Sequence, residues 1–255
     1  MDINLNADLG ESFGAYRMGD DAALLAIVGS ANVACGFHGG DPLVMAETVR
    51  LAREHGVSLG AHPSFPDLQG FGRRAMALSS RELAAVVTYQ VGALMGMAQS
   101  QDARVTHVKP HGAMSNMACE DAAMAATIAS AVKAINRELI LLAPALSHLA
   151  HAARAAGLRV ADEIYADRAY TEAGHLVPRS QPGAVLHDSA ACLAHVLRML
   201  ERGGIVSVSG RLLPTPFHSI CVHGDNAHAV ATATAVRDGL QAAGHRLRGL
   251  PELLG

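Results

Sequence analysis

The stretch Val33-Ala-Cys-Gly-Phe-His-Gly-Gly-Asp-Pro42 decides how the rest of the chain is read. An apolar run from Ala31 to Cys35, interrupted by one Asn, stops abruptly at Gly36, Phe37, His38, Gly39 and Gly40. Asp41 and Pro42 then open an amphipathic segment, Leu43 to His55. Asp is favoured at an N-cap because its carboxylate accepts from the first-turn amides. Pro is favoured at the first helical position because its missing N–H would be unpaired there anyway. The stretch therefore reads as a strand, a glycine turn and a helix start. Capping accounts for Asp41, Pro42 and the glycines, but not for His38. That histidine stands where a parallel strand would end, beside backbone amides and a helix amino terminus suited to an anion.

The same unit recurs on both sides. Before it come a strand over Ile3 to Asp8 and a short helix over Ala22 to Val28. In that first strand Ile3 and Leu5 share one face, and Asn4, Asn6 and Asp8 the other. After it come a strand over Val57 to His62, a Gly/Pro loop from Pro63 to Ala77, and a helix to about Gln101. Ser79 with Glu82 makes a capping box at that helix start. Then follow strand Val105 to Lys109, helix Glu120 to Asn136, strand Leu139 to Ala143, helix Leu146 to Ala156 and strand Arg159 to Tyr165. A polar loop covers Ala166 to Asp188 before helix Ser189 to Arg202, short strands Ile205 to Ser209 and Ile220 to His223, and a closing helix Ala227 to Ala243. Strands separated by single helices imply parallel pairing with right-handed crossovers. Seven or eight such units in about 250 residues favour a closed or nearly closed (β/α) barrel, one domain over 1–255. No glycine fingerprint follows the first strand, which weighs against a doubly wound dinucleotide fold.

Half of the 255 residues are hydrophobic, aromatics are scarce and tryptophan is absent, so the core is expected to be Ala, Val, Leu, Ile and Met. Net charge is −3 with the 14 histidines neutral, and no basic run is present, which argues against nucleic acid as a partner. With no basic leader and no long apolar span, neither secretion nor a membrane is expected, and the chain reads as soluble and cytoplasmic. The scattered Cys35, Cys119, Cys192 and Cys221 form no CxxC pair and read as buried thiols of a reducing compartment.

Active sites of such barrels form at the carboxyl ends of the strands. Here those ends carry Asn6, Asp8 and Glu11; His38 and Asp41; His62, Ser64 and Asp67; Lys109 and His111; Glu163 and Asp167; and His223, Asp225 and Asn226. Asp41 and Asp225 are explained by helix capping. Four strand-end histidines, His38, His62, His111 and His223, converge with Asp8 and Glu163 on one polar pocket. Histidines and carboxylates together serve as general acids and bases or bind a divalent metal. Asp8, His38 and His62 are the plausible metal set, although no i, i+4 His pair fixes it. Lys109 closes an otherwise apolar strand, as an ion-pair partner of a carboxylate such as Glu163 or as an electrophile toward a carbonyl, carboxylate or phosphate oxygen. His107, on the same face, reads as an ordinary satisfied core histidine. In the loop 63–74, Arg73 and Arg74 supply guanidinium forks suited to carboxylate or phosphate, although a solvated Gly/Arg loop is equally ordinary. The loop 166–180 has the length of a lid or partner surface, and its Tyr170, Leu176 and Val177 argue against disorder. No Walker motif places a nucleotide.

Seven blocks carry a resemblance. They are Asn6-Ala-Asp-Leu-Gly-Glu-Ser-Phe-Gly14, Ala31 to Pro42, Gly60-Ala-His-Pro-Ser-Phe-Pro-Asp67, Gly70-Phe-Gly-Arg-Arg74, Val108-Lys-Pro-His-Gly-Ala113, Glu163-Ile-Tyr-Ala-Asp-Arg-Ala-Tyr170 and Val222-His-Gly-Asp225. In order and over the whole chain, they resemble the lactam-utilisation (LamB/YcsF) family, to which the A subunit of bacterial 5-oxoprolinase belongs. The resemblance implies an irregular seven-stranded, TIM-like (β/α) barrel similar to glycoside hydrolases and polysaccharide deacetylases. It implies a hydrolase acting on a cyclic amide: ATP-dependent cleavage of 5-oxo-L-proline to L-glutamate, with Mg, in a complex with B and C subunits. By their places in the matching blocks, Asp8, His38, His62, Lys109, Glu163 and His223 are the expected catalytic residues. Asn6, Glu11, Arg73, Arg74 and His111 are the expected substrate or phosphate contacts. Lys109→Met is expected to abolish turnover while leaving the fold intact. Two alternatives stand beside this reading: a metal-dependent hydrolase or deacetylase on the same barrel, and a non-catalytic substrate-binding subunit.

Overall fold

Polar and apolar residues alternate along the first strand, and that alternation sorts the barrel into an oily shell and a polar interior. The computed structural model describes residues 1–224 and 228–255. In chain order the elements are β1 (Asp2–Leu9), α1 (Asp21–Leu25), β2 (Ser30–Ala34), α2 (Pro42–Glu54), β3 (Ser58–His62), α3 (Ser80–Gln99) and β4 (Val105–Val108). They continue with α4 (Gly112–Glu120), α5 (Ala122–Ile135), β5 (Ile140–Pro144), α6 (His148–Ala155), β6 (Arg159–Tyr165) and α7 (Ser189–Arg202). The last are β7 (Gly204–Val206), β8 (Leu212–Pro214), β9 (Ser219–His223), α8 (Ala229–Ala242), β10 (Arg246–Leu247) and α9 (Leu250–Leu254). Strands β1, β2, β3, β4, β5, β6 and β9 pair in parallel in that order. Strand β9 closes the ring on β1, with Asn4 opposite Ser219 and Asp8 opposite His223.

The expected seven-stranded barrel is what forms, and the caps fall where residue chemistry puts them. Asp41 accepts from the amides of Leu43 and Val44 at 2.8 and 2.9 Å, and Ser79 and Glu82 make the capping box of α3. Two stretches differ from the sequence reading. Ile205 to Ser209 does not join the barrel, because a turn at Ser207–Gly210 folds β7 back on β8 as an antiparallel hairpin. The segment Gly112–Glu120, read as connection, is the helix α4, and α5 begins separately where Asp121 caps the amides of Ala123 and Met124. Asp225, Asn226 and the expected start of the closing helix at Ala227 lie outside the described residues.

Outward-facing Ile3, Leu5, Ala7 and Leu9 pack under the helices in a core of the expected aliphatic kind. The inside of the barrel is different. Leu250 of α9, with Ile140, Leu142 and Ala161, plugs the amino-terminal end. Above the plug, Asn4 donates to Ser30 (2.8 Å) and accepts from Ser219 (2.7 Å). Asn6 next donates to Glu163 (2.8 Å), and Asn32 donates to Asn6 (2.7 Å) and Asp8 (2.9 Å). His107, fully buried, reaches Asn32 Oδ1 at 3.1 Å. A Cβ on Gly60 would overlap the His107 ring, so a glycine is what lets the imidazole cross the barrel. Burial in such a column is tolerable because these polar side chains partner one another. The column rises into the site.

Candidate active site

A cavity of about 390 Å³ opens at the carboxyl ends of the strands. Of the expected catalytic residues, Asp8, His62, Lys109 and His223 line it, as do His111 and Arg73. His38 and Glu163 are buried behind it, and Asn6 lies a row deeper in the barrel. Arg74 does not reach it, because its exposed side chain turns outward to pair with Asp67.

Lys109 sits at the cavity floor. Its ammonium, 2% exposed, lies 2.9 Å from Asp8 Oδ1, 3.1 Å from Glu163 Oε1, 3.0 Å from Cys221 Sγ and 3.4 Å from Asn6 Oδ1. Burial opposes its charge, yet Asp8, Cys221 and Glu163 hold its pKa well above the usual lysine range. The same contest keeps Asp8 ionised: desolvation pushes its pKa up, and His62 and Lys109 bring it well below normal. Glu163 Oε2 is buried without a hydrogen-bond partner among the described residues. Glu163 does not line the cavity and stands 3.1 Å from the Lys109 ammonium as its counter-charge.

Beside this ion pair stand the other histidines. His38 and His111 stack with ring centroids 3.8 Å apart, and His62 meets His111 edge-on at 4.8 Å. His38 Nε2 is 3.0 Å from Glu11 Oε1, and His62 Nε2 is 3.4 Å from Asp8 Oδ2. Burial, then neighbouring imidazoles, hold the pKa values of His38 and His111 well below the usual histidine range, so both rings are neutral near pH 7. Phe71 and Gly72 close over the cluster in left-handed backbone, φ +55° and +63°. A Cβ on Gly72 would crowd His38, His111 and Ser64, so the loop approaches the rings only because residue 72 is glycine. Among the described residues, Glu11, His38, His62 and His111 bring one ligand-type atom each within 4.8 Å of one another, as do Asp8, Cys221 and His223, and Asp8 also bonds Lys109 and Asn32.

On the opposite wall His223 Nδ1 is 2.8 Å from Asp167 Oδ1. A carboxylate accepts, so Nδ1 carries the hydrogen and Nε2 is the basic nitrogen. Burial disfavours the Asp167 charge, but His223 keeps its pKa below normal. The remaining wall comes from the loop after β6, whose Arg168, Tyr170, His175 and Arg179 all line the cavity. By composition alone, the charges Asp167, Arg168 and Arg179 would suit a solvated face. In fact Arg168 is 4% exposed, its guanidinium bonded to the carbonyls of Val177 and Ala184. The signal available was Tyr170: its hydroxyl, bonded to the Tyr165 amide at 2.6 Å, pins the loop inward. The first turn of α4 (Gly112, Ala113, Ser115, Asn116) also lines the cavity, and no side chain caps it. That contact was hidden because α4 itself was not read.

A parallel (β/α) barrel with a deep cavity of ionisable groups at the carboxyl ends of its strands has the arrangement in which such barrels hold their active sites. The chain belongs to the LamB/YcsF family, whose model matches residues 3–255. It is 62% identical over 253 residues to a protein of Azoarcus sp. (strain BH72) named as the A subunit of 5-oxoprolinase, covering 99% of each chain. A lactam utilization protein from Thermus thermophilus superposes with a TM-score of 0.92 at 44% identity, over 98% of this chain and 100% of that one. The catalytic domain of a peptidoglycan N-acetylglucosamine deacetylase from Eubacterium rectale shares the fold alone, with a TM-score of 0.51 at 11% identity over 98% and 88% of the two chains. No helix among the described residues is long and apolar enough to cross a membrane.

Proposed function

We propose that this chain is the A subunit of an ATP-dependent 5-oxoprolinase, a hydrolase that opens 5-oxo-L-proline to L-glutamate together with B and C subunits. The observation that carries this is the joining of two facts: full-length similarity to proteins named as the A subunit of 5-oxoprolinase, and a cavity walled by Lys109, Arg73, Arg168 and Arg179 opposite His223. The substrate is a small carboxylate with an unreactive lactam carbonyl. Its carboxylate fits the arginine wall, where planar forks bind it in two-point fashion. Phosphoryl transfer from ATP to the lactam oxygen releases ADP and activates the ring carbon, with Mg as the metal that would accompany ATP. Water adds there, and the C–N bond breaks as its nitrogen takes a proton. A second water cleaves the resulting acyl phosphate to the side-chain carboxylate and inorganic phosphate. His223, oriented by Asp167, removes a proton from the first of these waters. Lys109 acts mainly through Asp8, since its hydrogens are already engaged.

The test is reconstitution. The chain is combined with its B and C partners, 5-oxoproline and ATP, and glutamate and ADP are followed while each subunit is omitted in turn. Glutamate formation that requires this chain, and is lost in His223→Gln, supports a catalytic subunit. Undiminished turnover without the chain overturns the reading, and full activity of His223→Gln moves the chemistry to a partner.

A further inference from the structure

His62 and His111 are locked as tautomers by backbone carbonyls. His62 Nδ1 is 2.6 Å from the Lys109 carbonyl, and His111 Nε2 is 2.8 Å from the Phe71 carbonyl. A carbonyl only accepts, so those two nitrogens carry the ring hydrogens. The nitrogens left over, His62 Nε2 and His111 Nδ1, face each other at 3.0 Å. At that distance a hydrogen on one of the two nitrogens, or a metal ion between them, satisfies both. Glu11 Oε1 borders the same space, 3.7 Å from His111 Nδ1 and 3.0 Å from His38 Nε2. One donor atom from each of Glu11, His38, His62 and His111 lies within 4.8 Å of every other, and all four side chains are buried. His38 Nδ1 is buried without a hydrogen-bond partner among the described residues.

We propose that Glu11, His38, His62 and His111 form a binding site for a divalent first-row transition metal of the Zn²⁺ class. Three imidazoles and one carboxylate are a borderline nitrogen-rich donor set. It suits Zn²⁺, and Co²⁺ in its place, over Mg²⁺ or Ca²⁺, which take oxygen ligands. With metal–ligand distances of about 2.0–2.1 Å, the edges of a tetrahedron are about 3.4 Å. The separations of 3.0, 3.0 and 3.7 Å bracket that value. The carbonyls on His62 Nδ1 and His111 Nε2 are the outer partners that orient metal-bound histidines. Because each donor follows a different strand, β1 through β4, an ion held by all four ties four loop starts together. Four protein donors make this a closed site whose first effect is on stability. The ion enters from the cavity, which His62 and His111 line. The site stands independently of the 5-oxoprolinase reading, since no substrate enters the argument.

The test uses the whole chain, stripped with chelator and titrated with Co²⁺. One equivalent should bind with the intense visible bands of a tetrahedral ion, and Zn²⁺ should abolish them. Zn²⁺ should raise the melting temperature of the stripped chain, and Mg²⁺ should not. Glu11→Gln and His111→Asn should each weaken Co²⁺ binding about tenfold or more, while exposed His151→Asn should bind like the parent. Absence of tetrahedral Co²⁺ bands in the parent chain overturns the proposal and leaves a shared proton as what reconciles His62 with His111. Undiminished binding in both ligand variants overturns it equally. The Co²⁺ spectrum of the parent chain decides the matter even where a variant fails to fold, and it is read without any assay of turnover.

Discussion

Two clusters of buried ionisable groups share the top of the barrel, and they are balanced in opposite ways. Around Lys109, one cation meets Asp8, Glu163, Cys221 and Asn6, so that its donors are spent and its charge is answered. Around His62, three imidazoles and the Glu11 carboxylate gather where two ring hydrogens are already given to backbone carbonyls. The first cluster is complete as built. The second brings together four side chains of metal-ligating type. A self-sufficient ion pair organises a site, whereas an acceptor-rich one is built to receive something. The contrast also answers the question that Lys109 posed in the sequence: its ion pair is established in the structure, and direct contact with substrate would require it to give up one of these partners.

The most forceful way to break the contrast is to empty the complete cluster. Lys109→Met leaves Asp8 and Glu163 buried beside each other without a cation. Removing one member of a buried pair in this way costs about 3–5 kcal/mol. Denaturant melts should therefore show a large loss of stability, contrary to the sequence-based expectation of an intact fold with lost turnover. Adding Glu163→Gln to the same chain should recover part of that loss, because one of the stranded charges is gone. A melt like the parent's would show that water reaches the floor of the barrel.

The next effect is on rate and concerns the third histidine site, where a single imidazole is paired with a single carboxylate. If His223 with Asp167 supplies the base, His223→Gln should lower kcat of the reconstituted complex by about 10²–10⁴, the usual worth of a positioned general base. Asp167→Asn should lower it less while moving the pH profile, since the imidazole loses its orienting charge. Stability should change little in comparison with Lys109→Met, because His223 lies at the cavity edge rather than beneath it.

The contrast between the clusters was only half legible in the sequence. The barrel was legible because its signals are local: the Asp41–Pro42 helix start, the Ser79–Glu82 capping box and the alternation of Ile3, Asn4, Leu5 and Asn6 each act within a few residues. The site's residue types were legible too, since strand ends are where barrels place chemistry. What the sequence withheld was partnership. Arg73 and Arg74 are adjacent and chemically identical, yet one lines the cavity and the other clamps Asp67. Glu11 was grouped with phosphate contacts, but its neighbours are histidines that arrive from three other strand ends. The helix α4 escaped notice because its cap is a histidine without a side-chain hydrogen bond, not an Asp or Ser.

Those two arginines sharpen the comparison at the level of substrate. Arg73, whose guanidinium lies 4.9 Å from the Phe71 ring centre, is placed to meet an anion in the cavity. Arg73→Ala should raise KM for 5-oxoproline about tenfold or more, the value of a charge-assisted hydrogen bond, with a smaller change in kcat. Arg74→Ala should leave KM unchanged, because that side chain faces solvent and serves only Asp67. Equal effects of the two substitutions would place both in the anion site and remove the distinction.

The gentlest test reaches the row beneath both clusters, where His107 is held neutral. Burial first, and the neighbouring Lys109 charge second, push its pKa down to about 3. In the unfolded chain the same group titrates near 6.5. Between those values the unfolded state takes up a proton that the folded state refuses, so stability is full above about pH 6.5 and is lost as pH falls toward 3. The slope due to this one group is at most about 1.4 kcal/mol per pH unit. His38 and His111 act in the same direction, so the measurement compares the parent with His107→Gln by chemical denaturation at several pH values in that window. The variant should be less stable near neutrality, having lost the contact to Asn32, but its stability should fall less steeply on acidification. Parallel curves would mean that His107 is protonated in the folded chain. The polar column of the barrel would then carry a second internal cation besides Lys109, one row beneath the histidine cluster.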